Sequence, residues 1–265
     1  MQGEESSRVN NRLNSLFKNK TSGILNIYCT AGFPKLTSTA EVLIALQNIG
    51  ADIIEIGIPY SDPVADGPII QQSNKVALEN GMSIAVLFKQ LSKLKDTVQV
   101  PIILMGYLNP VLQYGIEKFC KDAAVANISG IILPDLPIYE FEKEYQQIFI
   151  KHNLNFIFLV TPETGEERIR MIDKLCSGFI YAVSSSSTTG KSKMVTEQLS
   201  YFKKLQEMQL ANPLLVGFGI KDKESFAAAC KHTNGAIIGS AYIKAIEYSH
   251  NIEKDTKEFI NRIKD

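Results

Sequence analysis

Glu55 and Asp66 carry the strongest chemical signal in the chain. Within Ile53 to Pro68 the first sits inside a strand-like apolar run and the second arrives on the loop that follows. Apolar residues on both sides of Glu55 leave it no solvated face, and an unpaired buried carboxylate is costly enough to raise its own pKa. A carboxyl poised between acid and base is the expected result. The alternative is a buried ion pair. No basic residue lies between Thr37 and Gln72, so such a partner would have to come from a distant part of the chain.

Other chemical candidates are weaker. Cys29, Cys120, Cys176 and Cys230 are widely spaced and lack the close pairing that zinc or redox motifs need, so they read as reduced, buried thiols. His152, His232 and His250 fall near expected helix ends or tails, and none reads as a ligand or a catalytic base. The run Thr188 to Ser192 ends in Gly-Lys-Ser as a nucleotide-binding P-loop does, but that motif needs a glycine where Ser185 stands. The Ser/Thr/Gly/Lys tract from Ser184 to Lys191 reads better as a lid that orders over a substrate.

Something must position the two acids. Eight short apolar runs recur: Ile24 to Ala31, Ala51 to Pro59, Val100 to Tyr107, Ile128 to Asp135, Asn155 to Pro162, Gly178 to Ser184, Pro213 to Gly219 and Ala236 to Ser240. They lack strict alternation, as parallel strands covered on both faces should. Helical patterns lie between them. Ser38 and Glu41 predict a capping box with Gly50 as the stop, and Ser83 opens a helix through Ile84, Leu87, Phe88 and Leu91. Eight strand-then-helix units predict a closed (β/α)8 barrel, an α/β fold of the TIM type, with residues 1–265 as a single domain. Arg12 to Lys20, with Leu13, Leu16 and Phe17 on one face, predicts an additional N-terminal helix that plugs the bottom of the barrel.

Composition restricts the partners. Of 265 residues 45% are hydrophobic and 21% charged, and 28 basic residues balance 28 acidic ones, which gives no electrostatic case for nucleic acid or an anionic membrane surface. The first ten residues are too polar for a signal peptide and no apolar run approaches a membrane span, so a cytoplasmic location is expected. A small molecule or another protein remains as partner. In such barrels the loops after the strands converge on one opening. Gly190, Gly219, Gly239 and Ser240 fall on those loops, where glycines let backbone N–H groups approach an anion, and they predict a phosphate site.

The whole chain resembles the tryptophan synthase α subunit family. The segment Glu55 to Pro68 is very similar to that family's most specific motif, with supporting matches at Leu104-Met105, Asn109-Pro110, Pro134 to Pro137, Gly217 to Ile220 and Gly239 to Ala241. The resemblance implies a reverse aldol cleavage of indole-3-glycerol phosphate to indole and glyceraldehyde 3-phosphate, without metal or organic cofactor. It implies Glu55 as the acid/base and Asp66 as acceptor for the indole N–H. Tyr28, Ile70, Leu104, Tyr181, Thr189 and Phe218 match positions around the substrate, although core packing alone would also account for the apolar ones. The implied partner is the pyridoxal-phosphate β subunit, in an α2β2 heterotetramer, contacted by Asp62, Asn109 and Pro137. The lid departs from the family, where many members carry Arg and Gly at the positions of Ser185 and Ser187. Two readings of other classes stay open: a protein that binds and activates the β subunit without cleaving substrate, and a different phosphate-handling barrel such as a sugar-phosphate isomerase.

Overall fold

The architecture is that of a computed structural model, which describes residues 9–64, 66–183, 200–217 and 219–264. Its strands are β1 (Ile24–Thr30), β2 (Ile53–Gly57), β3 (Ile102–Met105), β4 (Gly130–Ile132), β5 (Asn155–Phe156), β6 (Leu159–Val160), β7 (Ile180–Val183), β8 (Leu214–Gly217) and β9 (Gly235–Ile238). All pair in parallel, in the order β5-β4-β3-β2-β1-β9-β8-β7-β6. Both ends of that order belong to one extended segment, Asn155 to Val160. Ile157 N donates to Ile131 O on one side, and Tyr181 N donates to Phe158 O on the other. The ring therefore closes as the (β/α)8 barrel that the repeat predicts, its fifth strand broken into two short pieces.

Strand periodicity sorts the side chains between two cores. Ile53, Ile103, Ile132, Ile157, Leu215 and Ile237 point inward and pack together in the barrel interior. Leu25, Ile27, Ile54, Ile56, Leu104 and Ile131 point outward against the surrounding helices. Six helices precede β4: α1 (Arg12–Asn19), α2 (Ser38–Ile49), α3 (Pro68–Glu79), α4 (Ile84–Ser92), α5 (Leu108–Tyr114) and α6 (Ile116–Val125).

Helix α1 does plug the barrel, since Leu13 is fully buried in the interior cluster with Leu16 and Phe17 packed beside it. Its start is pinned to the floor. Asn11 Oδ1 accepts from Leu13 N at 3.0 Å, while Asn11 Nδ2 donates to Ser129 O at 2.8 Å and Asn153 O at 2.9 Å. The expected cap of α4 forms, with Ser83 Oγ accepting from Val86 N, and Gly50 ends α2 at φ 97°, a left-handed conformation that favours glycine. The expected capping box of α2 does not form. Ser38 is already helical and buried and Thr37 makes no side-chain cap, because Ser38 N donates instead to Lys35 O at 2.9 Å.

Candidate active site

Strand β2 delivers Glu55 to the inner face two residues above Ile53, opposite Tyr28 of β1 and Ile103 of β3. Only 1% of the residue is exposed, and no cation pairs with it among the described residues. Its partner is a neutral amide: Asn26 Nδ2 donates to Glu55 Oε2 at 3.0 Å. Burial pushes the carboxyl up to about 8; the Asn26 bond opposes this, and the charge of Asp66 adds to it. The distant ion pair that the sequence leaves open is therefore not made by the described residues.

Asp66 reaches the same opening from the loop after β2. That loop is folded on itself, with Asp66 N donating to Pro63 O at 3.1 Å and Gln71 Nε2 to Asp66 O at 2.9 Å. Pro68 then starts α3, where the missing N–H costs no helical bond. The helix returns Asn74, whose Nδ2 donates to Asp66 Oδ2 at 3.3 Å. Partial burial raises Asp66 to about 6 against the opposing hydrogen bonds from Asn74 and Tyr107. Two carboxyls thus share one opening with their proton affinities set apart, the condition for one to act as acid while the other stays ionised.

Both acids line a cavity of about 530 Å³. Tyr28, Ile70 and Tyr181 line it too, as do Gly219, Gly239 and Ser240 on the loops after β8 and β9. Glycines within the strands make room for the two rings. A Cβ on Gly57 would stand 2.0 Å from the Tyr28 hydroxyl, and one on Gly217 would stand 2.2 Å from that of Tyr181. Gly219 has φ +77° with open space about it, and Gly239 precedes the helix Ser240–Ile246, whose first turn has backbone N–H groups without helical partners. A second cavity of about 480 Å³ lies at the other end of the barrel, beside Asn14 and Gly178. Its carboxylate, Asp173, is occupied by the backbone N–H groups of Ala211 and Asn212, so it offers no comparable acid pair.

Leu104 is not brought to the site. It faces the helices, and its neighbour Met105 lines the cavity, because successive strand residues point to opposite faces. Thr189, Gly190 and Phe218, together with the lid tract Ser184 to Lys191, lie outside the described residues. Asp62 and Pro137 are exposed on the loops after β2 and β4 and Asn109 in the first turn of α5 after β3, all away from the cavity lining. The sequence reading missed Asn26, Asn74, Tyr107, Met105, Lys221 and Lys244. Some signals were present: Asn26 shares the parity of Tyr28 along β1, and Lys244 follows Ser240 by one helical turn. Among the described residues no three His, Cys, Asp or Glu side chains are grouped as metal ligands.

A closed parallel barrel with two carboxyls and loop glycines lining one cavity at its strand exits has the layout of a barrel enzyme's active site. The family profile described as "Tryptophan synthase alpha chain" matches residues 15–264. The chain is 51% identical over 238 residues to the tryptophan synthase alpha chain of Parabacteroides distasonis, covering 89% of this chain and 93% of that one. It is 48% identical over 254 residues to that of Flavobacterium psychrophilum, covering 96% and 99%. Among solved structures, tryptophan synthase subunit alpha from Legionella pneumophila superposes with a TM-score of 0.87 at 32% identity, covering 96% of this chain and 97% of that one. A chain of tryptophan synthase from M. tuberculosis, in an aminoacrylate-bound form, does so with a TM-score of 0.83 at 28% identity, covering 96% and 100%. The chain belongs to the tryptophan synthase alpha chain family. It is accordingly a carbon–carbon lyase of tryptophan biosynthesis, acting in the α reaction that cleaves indole-3-glycerol phosphate.

Proposed function

We propose that Glu55 is the single acid/base of this reaction and that Asp66 holds the indole N–H. The supporting observation is that both acids line one cavity with Gly219, Gly239 and Ser240. As a carboxylic acid, Glu55 delivers its proton to carbon 3 of the indole, placing positive charge on the ring nitrogen. As the carboxylate so formed, it removes the proton of the glycerol hydroxyl next to that carbon. The O–H electrons form the aldehyde, the carbon–carbon bond breaks, and its electron pair restores the neutral ring. Ionised Asp66 beside the nitrogen stabilises the charged intermediate more than the neutral substrate. At about 4 Å and an effective dielectric near 20 the attraction is on the order of 4 kcal/mol.

Tyr28, Ile70, Tyr181 and Met105 wall the flat ring, and Thr189 and Phe218 belong to the same proposal by their position in the motif. Phosphate is assigned to Gly219, Gly239, Ser240 and Gly190, with Lys221 and Lys244 in the cavity lining to offset its charge.

The β subunit is assigned to the segments that follow β2, β3 and β4, helix α5 included. Large apolar side chains are exposed there beside Asp62, Asn109 and Pro137: Val64 is 88% exposed, Leu112 45% and Tyr139 70%. An α2β2 heterotetramer in the cytosol, with residues 1–265 as one domain in each α chain, completes the reading. An indole-release assay on wild type and Glu55→Gln, with and without a β subunit, tests it. Glu55→Gln is expected to lose activity by about 100-fold or more while still binding an unreactive indole phosphate analogue. Intact release by that variant removes the mechanism.

A further inference from the structure

The mechanism leaves two buried asparagines unused. Asn26 and Asn74 each donate Nδ2 to one of the two catalytic carboxyls, at 3.0 Å and 3.3 Å. Each also buries an Oδ1 that has no partner among the described residues. Asn26 is the more telling of the two. It is fully buried on β1, and its register partners, Ile53 of β2 and Ile237 of β9, are both apolar. A buried amide left with an orphan acceptor is costly, and here it sits against a carboxyl that must pass between ionised and neutral forms in every turnover.

The chemistry of that position is restrictive. A lysine or arginine would hold Glu55 ionised and unable to deliver a proton. An aliphatic side chain would leave the carboxylate with no compensating donor at all. An amide offers a donor and an acceptor on one planar group and exchanges them by turning about its Cβ–Cγ bond. We propose that Asn26 is a positioning residue for Glu55, donating from Nδ2 to the carboxylate and, after rotation of its amide, accepting at Oδ1 from the carboxylic acid. The orphan Oδ1 is then the acceptor held ready for the protonated state. This inference rests on the assignment of Glu55 as the acid/base.

Other groups around Glu55 do not obscure the effect. Tyr28 on β1 and Tyr181 on β7 face it, while Cys29 beside Tyr28 points to the outer core; burial holds the two phenols well above 10 and the thiol at about 12, so all three stay neutral where Glu55 titrates. Asp66, on the loop after β2, is the facing group that also changes charge. The two acids therefore titrate as a coupled pair, and the informative quantity is the difference between wild type and variant.

The test is a ¹³C NMR titration of the glutamate carboxyls, with the Glu55 signal assigned by its loss in Glu55→Gln, in wild type and Asn26→Leu. A bond to the charged form is stronger than one to the neutral form, so Asn26→Leu is expected to move the Glu55 midpoint up by at least about half a pH unit. In wild type the ¹⁵N signal of the Asn26 side-chain amide should move with the same midpoint as Glu55. In the indole-release assay, kcat at neutral pH should fall about tenfold with KM changed less than about twofold, the pattern of lost alignment rather than lost binding. A folded variant with an unmoved Glu55 midpoint, or an Asn26 amide signal indifferent to pH, overturns the proposal. Should Asn26→Leu not fold, Asn26→Ser, which removes the amide and keeps a small polar group, is read by the same criterion. The titration needs no turnover. A Glu55→Gln variant that still releases indole therefore sinks the catalytic assignment, whereas an unmoved midpoint in Asn26→Leu with Glu55→Gln inactive sinks the role of Asn26 alone.

Discussion

Glu55 shows how a strand can hold a carboxyl ready to be an acid. Desolvation dominates, with no cation among the described residues paired to reverse it, so the neutral form persists up to about pH 8, while partly buried Asp66 ionises near pH 6. The reaction as proposed starts from neutral Glu55 and ionised Asp66. We therefore expect kcat/KM to rise as the pH passes about 6 and fall as it passes about 8, in a rate profile taken at saturating and at limiting substrate. Stability follows the same proton. Folded Glu55 binds its proton more tightly than the unfolded chain, so its contribution is complete below its ordinary value of 4.5 and is lost as the pH rises to about 8. The loss is on the order of 5 kcal/mol. Glu55→Gln is thus expected to be more stable than wild type at pH 8, with the gap closing toward pH 4.5, in thermal melts across that range. Identical melting profiles would contradict the burial penalty.

Individual elements do separable work. Strands β2 and β8 contain Gly57 and Gly217 because the rings of Tyr28 and Tyr181 lie where a Cβ would project, so glycine here serves close approach and not chain reversal. Helix α3 reaches back to hold the loop acid through Asn74, and Ser73 exchanges a 2.7 Å bond with Thr30 of β1 to fix the distance between helix and strand. Helix α1 closes the far end. Leu13→Ala would empty a fully buried site among interior side chains and is expected to cost about 2–5 kcal/mol in denaturant unfolding. Because that site lies at the barrel floor, the folded variant should keep its KM for substrate. A large rise in KM would show that the floor and the mouth are coupled.

For the whole molecule, one end of the barrel carries both the proposed chemistry and the proposed docking face. The loops after β3 and β4 are fastened together there, with Leu108 N donating to both carboxylate oxygens of Asp135 at 2.9 and 3.0 Å. Leu112 and Tyr139 stand exposed beyond them. Replacing both by aspartate places charge on an apolar contact and is expected to weaken β-subunit binding by tenfold or more, while indole release by the isolated chain is unchanged. Calorimetric titration of the two subunits measures the first, and the indole assay the second. Unaltered binding would remove these loops from the interface.

Strand and helix alternation, the plug helix and both acids were legible in the chain because each depends on local pattern: apolar runs of fixed length, a polar residue inside one, glycines after others. What depended on distance in space was not legible. Leu104 and Met105 differ by one residue, and only the register of β3 against β2 and β4 decides which of them meets the cavity. The capping box of α2 failed because Ser38 N found Lys35 O, a choice made by the path of the incoming loop. Asn26 was unremarkable in sequence and acquires meaning only because ring closure brings β1 against β2 with its amide 3.0 Å from Glu55. The chain by itself determined which side chains are chemically able to act. The closed barrel decided which of them meet, since desolvation and hydrogen bonding are set by neighbours that sequence separation does not reveal.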